Sequence, residues 1–201
     1  VGRLTIADSD KVDLTNLQRQ ILYRSESVGA VKVDAARAAL NAVNPDVTIV
    51  AVHKRLEDFS AAAGADVVLD CTDNFATRHA INRACVKHGK PLVSGAAIRF
   101  DAQLMVFDLR NPDSACYACL FPEDAQVEEV QCSTMGVFAP LTGVIGAMQA
   151  MEALKLVAGI GSPPSLQILD GKSAAWRSVR VKKDPACGVC GVTRASSAAA
   201  R

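Results

Sequence analysis

The stretch ADVVLDCTDNFATRHAINRACVKHGKPLVSGAA, residues 65–97, holds a complete strand–helix–strand repeat. ADVVLDC (65–71) is a near-continuous apolar run, the pattern of a strand buried on both faces in a parallel sheet. TDNFATRHAINRACVKHG (72–89) reads as a helix, with Thr72 or Asp73 as N-cap and Gly89 as its stop. PLVSGAA (91–97) reads as the next buried strand. Upstream, RLTIAD (3–8) and VTIVAV (47–52) are expected strands. Between them SVGAVKVDAARAALNAVN (27–44) carries Val31, Ala35, Ala38 and Val43 at near-helical spacing and is stopped by Pro45. This β-α-β-α-β order predicts an α/β fold with a Rossmann-like open, mostly parallel sheet, whose ligands sit beyond the carboxyl ends of the strands. Asp8 and Asp73 both fall just past such ends.

After residue 97 the pattern changes. QLMVFDL (103–109) reads as a strand returning antiparallel, and the stretch from about 111 to 135 reads as a crossover loop. The most apolar segment, 135–159, is interrupted by Pro140, Gln149, Glu152 and Lys155. It falls short of the roughly 18 uninterrupted apolar residues of a membrane span, so a buried core helix is expected. LQILD (166–170) and AAWRSVRVKK (174–183) continue the sheet in antiparallel fashion. The expected organisation is one domain over 1–191 and a flexible tail over 192–201, without internal repeats.

Half of the 201 residues are hydrophobic, enough for one well-buried domain. The formal charge of +1 gives no bulk attraction to nucleic acid or an anionic membrane. A bound anion must therefore be held by a few placed residues. Seven cysteines without a basic and apolar leader point to reduced thiols, a cytoplasmic setting, and metal binding or catalysis as their use. The chain opens at Val1, a few residues before a strand, and is expected to begin inside a domain.

The pairs CYAC (116–119) and CGVC (187–190) offer Cys116, Cys119, Cys187 and Cys190. Two C-x-x-C pairs complete the tetrahedral thiolate set that Zn²⁺ prefers, and four protein ligands leave no open position, so such a site is structural. Two unrelated pairs of ordinary or redox cysteines are the other reading. In ADSDKVDLTNLQRQ (7–20), Asn16 and Gln20 are spaced to share a helix face with Arg19, and Lys32 opens the following helix. Arg19 and Lys32 are two cations able to offset a triphosphate; a solvated surface pair is the plainer reading. Asp73 suits Mg²⁺ or simple helix capping, and Asp8 or Asp10 could accept from a ribose. Cys132, in VQCSTMG (130–136), is a loop thiol that is either a nucleophile or inert. Cys71 and Cys85 read as core residues. His53, His79 and His88 have no ligand-like spacing.

Several motifs now coincide in order: ADSDKVDLTNLQRQIL (7–22), VGAVK (28–32), VVLDCTDNFATR (67–78), CYAC, GVFAPLTGVIGAMQAMEALK (136–155) and CGVC. Together they resemble the ubiquitin-activating-like adenylyltransferases, the ThiF/MoeB/HesA family, over about residues 1–191. LFPED (120–124), DGKSAAW (170–176) and DPACGVCG (184–191) look closer to the ThiF branch of thiamine-thiazole synthesis than to the MoeB branch of molybdopterin synthesis.

The resemblance implies an enzyme that binds ATP, Mg²⁺ and a ubiquitin-like sulfur-carrier protein ending in Gly-Gly, and adenylates the carrier's terminal carboxylate. It assigns Asp8 to the ribose, Asn16, Arg19, Gln20 and Lys32 to the phosphates, and Asp73 to Mg²⁺. Cys116, Cys119, Cys187 and Cys190 match the family's structural zinc ligands, and Cys132 matches a cysteine associated with sulfur transfer or a covalent carrier link. A homodimer is implied, with a sulfurtransferase or cysteine desulfurase as a further partner. The family's GxGGLG loop would lie before Val1, so weak ATP binding is expected of the chain as it stands. Two other readings stand beside this one. One is the same reaction on the small subunit of molybdopterin synthase, and the other a non-catalytic scaffold that binds a ubiquitin-like protein. A nicotinamide dehydrogenase lacks a glycine fingerprint and an acid–base pair here.

Overall fold

The computed structural model describes residues 1–55, 59–124, 136–161 and 163–191. It comprises two compact units, Val1–Asp58 and Phe59–Arg201.

In the first unit, β1 (Arg3–Ala7) and β2 (Thr48–Val52) pair in parallel, with Arg3 opposite Thr48 and Ala7 opposite Val52. Parallel neighbours need a crossover, and α1 (Lys32–Val43) supplies it, packing on β2. Asn44 leaves the helix in an extended conformation (φ −146°, ψ 102°). The following Pro45 requires this, because its ring disfavours a helical predecessor. The inward residues of α1 are Lys32, Val33 and Ala36, while Val43 is 81% exposed. The expected stripe through Val31, Ala35, Ala38 and Val43 is thus corrected to a neighbouring one, because Lys32 turns inward to meet acids.

In the second unit, β3 (Val68–Asp70), α2 (Phe75–His88) and β4 (Leu92–Ile98) form a second parallel crossover, with Val68 opposite Leu92. Strands β5 (Asp101–Phe107), β6 (Ser165–Asp170) and β7 (Ala175–Arg180) follow antiparallel, giving the order β3-β4-β5-β6-β7. The α/β class holds, with parallel pairs first and antiparallel strands continuing them. Strand β3 is shorter than expected and ends the described sheet, so Leu69 is 41% exposed instead of buried. Cys71 lies past its end and is exposed, not in the core, whereas Cys85 is fully buried as expected. The cap of α2 is Asn74, one residue beyond the expected Thr72 or Asp73, and its side chain accepts from the Thr77 N–H. Gly89 closes the helix in the left-handed region (φ 60°, ψ 40°), where glycine avoids the Cβ clash.

Alternation along the central strands divides the core in two. Leu92, Met105 and Phe107 face α2, Cys85 and Tyr117, while Val93, Leu104 and Val106 face Leu141, Ile145 and Leu156. Phe107 is completely buried, a burial worth roughly 1.5–3 kcal/mol. Within the 111–135 stretch a short helix, α3 (Tyr117–Leu120), is present. The long apolar segment forms α4 (Ala139–Val157), with Pro140 in its first turn.

Helix α4 is buried on one face only. Leu141, Ile145, Gln149, Glu152 and Leu156 point inward at helical spacing. Val144, Met151, Leu154 and Val157 are each more than 40% exposed, so the expected buried core helix enters the core by one face and leaves the other open. No described helix is long and apolar enough to cross a membrane. Strand β7 ends the described sheet at its other side and is exposed along its whole length.

Candidate functional site

In the first unit the polar stretch after β1 folds back on the start of α1. Val12 N–H donates to the Ala30 carbonyl and Gly29 N–H to the Val12 carbonyl, both at 2.8 Å, beside an antiparallel bridge between Lys11 and Val31. Gly29 has φ +87°, a conformation few other residues adopt cheaply. The fold-back brings Lys32 to the acids. Its Nζ donates to Asp10 Oδ2 at 3.0 Å and lies 3.9 Å from Asp8 Oδ2, while its backbone N–H donates to the Asp10 carbonyl at 2.9 Å. Asp8 Oδ1 in turn accepts from the Asp10 N–H at 2.8 Å. A lysine with only 11% of its side chain exposed would be costly without such partners.

The next turn carries the amides and the arginine. Asp13 caps the turn Leu14–Asn16, and the Asn16 side chain accepts from the Asp13 N–H. Thr15 donates its N–H and hydroxyl to Asp13, which holds that carboxyl below the usual range. Arg19 Nη1 donates to the Thr15 carbonyl at 3.3 Å, and the Gln20 N–H donates to the Asn16 carbonyl at 2.9 Å. Asn16, Arg19 and Gln20 thus follow a tight turn, not the regular helix expected of them; the Asp13 cap closes the first turn in 3₁₀ form. Gln20 Oε1 is buried and has no hydrogen-bond partner among the described residues. Tyr23 is held above the usual phenol range by burial and by Asp8.

In the second unit a buried polar set that the sequence reading missed shapes the loop around Asp73. Asp70 is 1% exposed and accepts from the Thr72 N–H (2.9 Å), the Thr72 hydroxyl (2.7 Å) and the Ser94 hydroxyl (2.6 Å). Arg78 donates to the Thr72 carbonyl, to Ser94 Oγ (3.2 Å) and to the Gly95 carbonyl (3.3 Å), with Asp70 Oδ2 at 3.7 Å. Gln149 donates to the Asp70 and Val93 carbonyls. The signal for this set was an acid closing an apolar strand and an arginine on the inward face of the next helix. Asp73 itself is exposed, its carboxylate 3.5 Å from Asn74 Nδ2. The loop is therefore fixed on both sides while the Asp73 carboxylate meets solvent.

The four predicted cysteines meet. Their sulfurs all lie within 4.8 Å of one another, with Cys116–Cys119 at 4.0 Å, Cys116–Cys187 at 3.8 Å and Cys119–Cys190 at 3.4 Å. A tetrahedral ion with bonds of about 2.3 Å to sulfur sets sulfurs about 3.8 Å apart, so this set fits Zn²⁺. The chemistry of the set agrees. Donation to Cys119, with burial, raises Cys116, and burial raises Cys190 to about 12. Cys119, accepting from Cys116 and from the Asp184 N–H, is drawn down to about 4. Four thiolates this close would repel one another, and a cation bound among them is what lets them ionise together. Cys132 lies outside the described residues.

The profile of the ThiF family matches residues 1–189. Over 200 residues the chain is 46% identical to the sulfur carrier protein ThiS adenylyltransferase of Escherichia coli (strain K12), covering 97% of this chain and 78% of that protein. It is 45% identical over 199 residues to the molybdopterin-synthase adenylyltransferase of the same strain, covering 95% and 78%. Among solved structures, E. coli MccB with ATP superposes with a TM-score of 0.78 at 20% identity, over 94% of this chain and 59% of that one. At that identity the likeness shows a shared fold.

Proposed function

Since this chain belongs to the ThiF family, we propose that it uses ATP to adenylate the C-terminal carboxylate of a small sulfur-carrier protein. The observation that carries the reading is Lys32, fixed at the first residue of α1 by Asp10 and beside Asp8, the acid that follows β1. The names of relatives more than 40% identical over nearly the whole chain support it.

In this reading the carrier ends in Gly-Gly, and its carboxylate oxygen attacks the α-phosphorus of ATP. A new oxygen–phosphorus bond forms, the bond to the β-phosphate oxygen breaks, and pyrophosphate leaves. The attacking carboxylate is already ionised at pH 7, so no general base is required. Charge is the obstacle, because carboxylate and triphosphate repel. Lys32 and Arg19 offset that charge, Asn16 and Gln20 hold phosphate oxygens, and Asp8 accepts from the ribose. Asp73 would hold Mg²⁺, which when bound would supply positive charge to phosphate oxygens. Asp8, Asp10 and Lys32 together sum to one negative charge, so Lys32 by itself does not offset a triphosphate, and Arg19 adds a second cation from the same unit.

The carrier is taken to be of the thiazole-forming type, on LFPED, DGKSAAW and DPACGVCG. The molybdopterin-synthase small subunit is the competing carrier, since identities of 46% and 45% do not separate the two. Cys132 serves sulfur transfer or a covalent carrier link after adenylation, with a sulfurtransferase or cysteine desulfurase as the sulfur source. A homodimer and a cytoplasmic location complete the reading; the latter suits a cluster of free thiols. The test is carrier-dependent ATP–pyrophosphate exchange by the natural protein that carries this sequence, with each carrier in turn. Exchange with the thiazole-type carrier is expected, exchange with the other alone would move the assignment to it, and exchange with neither would refute adenylation.

A further inference from the structure

Asn82 has no solvent exposure at all. Its Oδ1 accepts from the Tyr117 N–H at 2.9 Å, and its Nδ2 faces Cys116 Sγ at 3.5 Å. The two contacts are not interchangeable. The Tyr117 N–H can only donate, so the amide oxygen must point to it and the NH₂ must point to sulfur. A flip would set oxygen against sulfur and two donors against each other. The side chain is thus polarised to meet an electron-rich sulfur, which is what a thiolate bound to a metal remains. Cys119 receives a comparable donor from the Asp184 N–H at 3.4 Å. Each sulfur of the first C-x-x-C pair therefore has one N–H aimed at it.

The position of Asn82 on α2 matters as much as its contacts. Arg78 lies four residues earlier, on the same helix face, where it fixes the Thr72 and Gly95 carbonyls. Cys85, three residues later, packs in the same core cluster as Cys116, Cys187 and Cys190. One face of one helix thus holds the loop before Asp73 at one turn and the cysteine cluster at the next, a separation of about 6 Å along the axis.

We propose that Asn82 is a positioning residue for the metal: its amide orients the Cys116 sulfur and joins the four-cysteine clip to α2. The proposal rests on the reading of Cys116, Cys119, Cys187 and Cys190 as a zinc site, and its test separates the two. Groups that orient metal ligands through a hydrogen bond typically change metal affinity 10- to 100-fold when removed. Asn82→Asp keeps an acceptor for Tyr117 but turns a carboxylate toward the sulfur; Asn82→Ala removes both contacts.

Zinc affinity is measured by competition with a chromophoric chelator, and the thiolate-to-metal absorption band is recorded after Co²⁺ substitution. Both variants are expected to bind zinc 10- to 100-fold more weakly and to shift the cobalt band, a signature that a merely structural residue would leave alone. Unmutated protein that binds neither Zn²⁺ nor Co²⁺ would overturn the metal reading itself. Unmutated protein that binds, beside an Asn82→Asp variant with the same affinity and spectrum, would overturn only the role of Asn82. Should the variants fail to fold, hydrogen exchange on unmutated protein decides. Stripping zinc should speed exchange at the Tyr117 amide and at residues 78–82; unchanged protection there would refute the link.

Discussion

Gln149 closes over Gly95 so tightly that a β-carbon on the glycine would stand 2.4 Å from Gln149 Oε1 and 2.9 Å from Ile145 Cγ2. The glutamine cannot swing aside at little cost, because it is 4% exposed and its Nε2 holds the carbonyls of Asp70 and Val93. Gly95→Ala should therefore destabilise the protein by about 1–3 kcal/mol through overpacking. At about 2–4 °C per kcal/mol for a chain of this size, calorimetry would register a fall of several degrees. The double variant with Gln149→Ala should recover part of it, since the clashing atoms are then gone; strict additivity would contradict the contact.

The Asp70–Arg78 pair sets a second expectation. Asp70→Asn leaves the Arg78 guanidinium, 8% exposed, without its counter-charge. Breaking a buried pair from one side costs about 3–5 kcal/mol. Urea unfolding should show a lower midpoint at an unchanged slope, and a midpoint equal to that of the unmutated protein would refute the assignment.

His79 supplies the pH dependence. Burial among Phe75 and Tyr117 lowers its pKa below 6.5, against the pull of Glu123 and with a smaller push from Arg83. The neutral ring is the form that folding favours, so the unfolded chain binds the extra proton first. Its contribution is fully present above about pH 6.5 and is lost as the pH falls from there through the lower folded value. Denaturation measured between pH 7.5 and 5.5, with zinc retention verified at each point, should show this loss. His79→Phe should flatten the profile over that window.

Lys32 and Asp73 should separate in kinetics. A placed group that offsets developing charge is worth about 10²–10³ in turnover, so Lys32→Met should lower carrier-dependent pyrophosphate exchange by that factor. Asp73→Asn should lower it too, but raising Mg²⁺ should restore part of the rate, because a metal ligand is weakened and not a fixed cation removed. Exchange insensitive to both changes would exclude these residues from the reaction.

What could be read in the sequence follows from how local each signal is. Strands β4 and β5 are legible because Leu92–Val93 and Leu104–Phe107 put consecutive apolar residues on both faces of the sheet, all of them buried. The cysteine cluster is legible because C-x-x-C sets two sulfurs side by side without help from the rest of the fold. The inward face of α1 is not, because a lysine occupies it and only the distant acids Asp8 and Asp10 make that favourable. Asp70 and Arg78 escaped for a related reason: their partners include backbone atoms of residues 72 and 95, which residue types do not reveal. The outward apolar residues of α4 misled in the other direction, since hydrophobicity alone does not say which side of a helix meets the sheet.

Strand β7 has the last word on how this sheet stops growing. A terminal strand offers unpaired backbone groups to any passing chain, and charge is a common guard against such recruitment. Here Arg177 and Arg180 stand on the exposed strand, and Lys182 and Lys183 follow directly. A second copy laid edge to edge would bring the same cations together, a repulsion that opposes pairing along this rim.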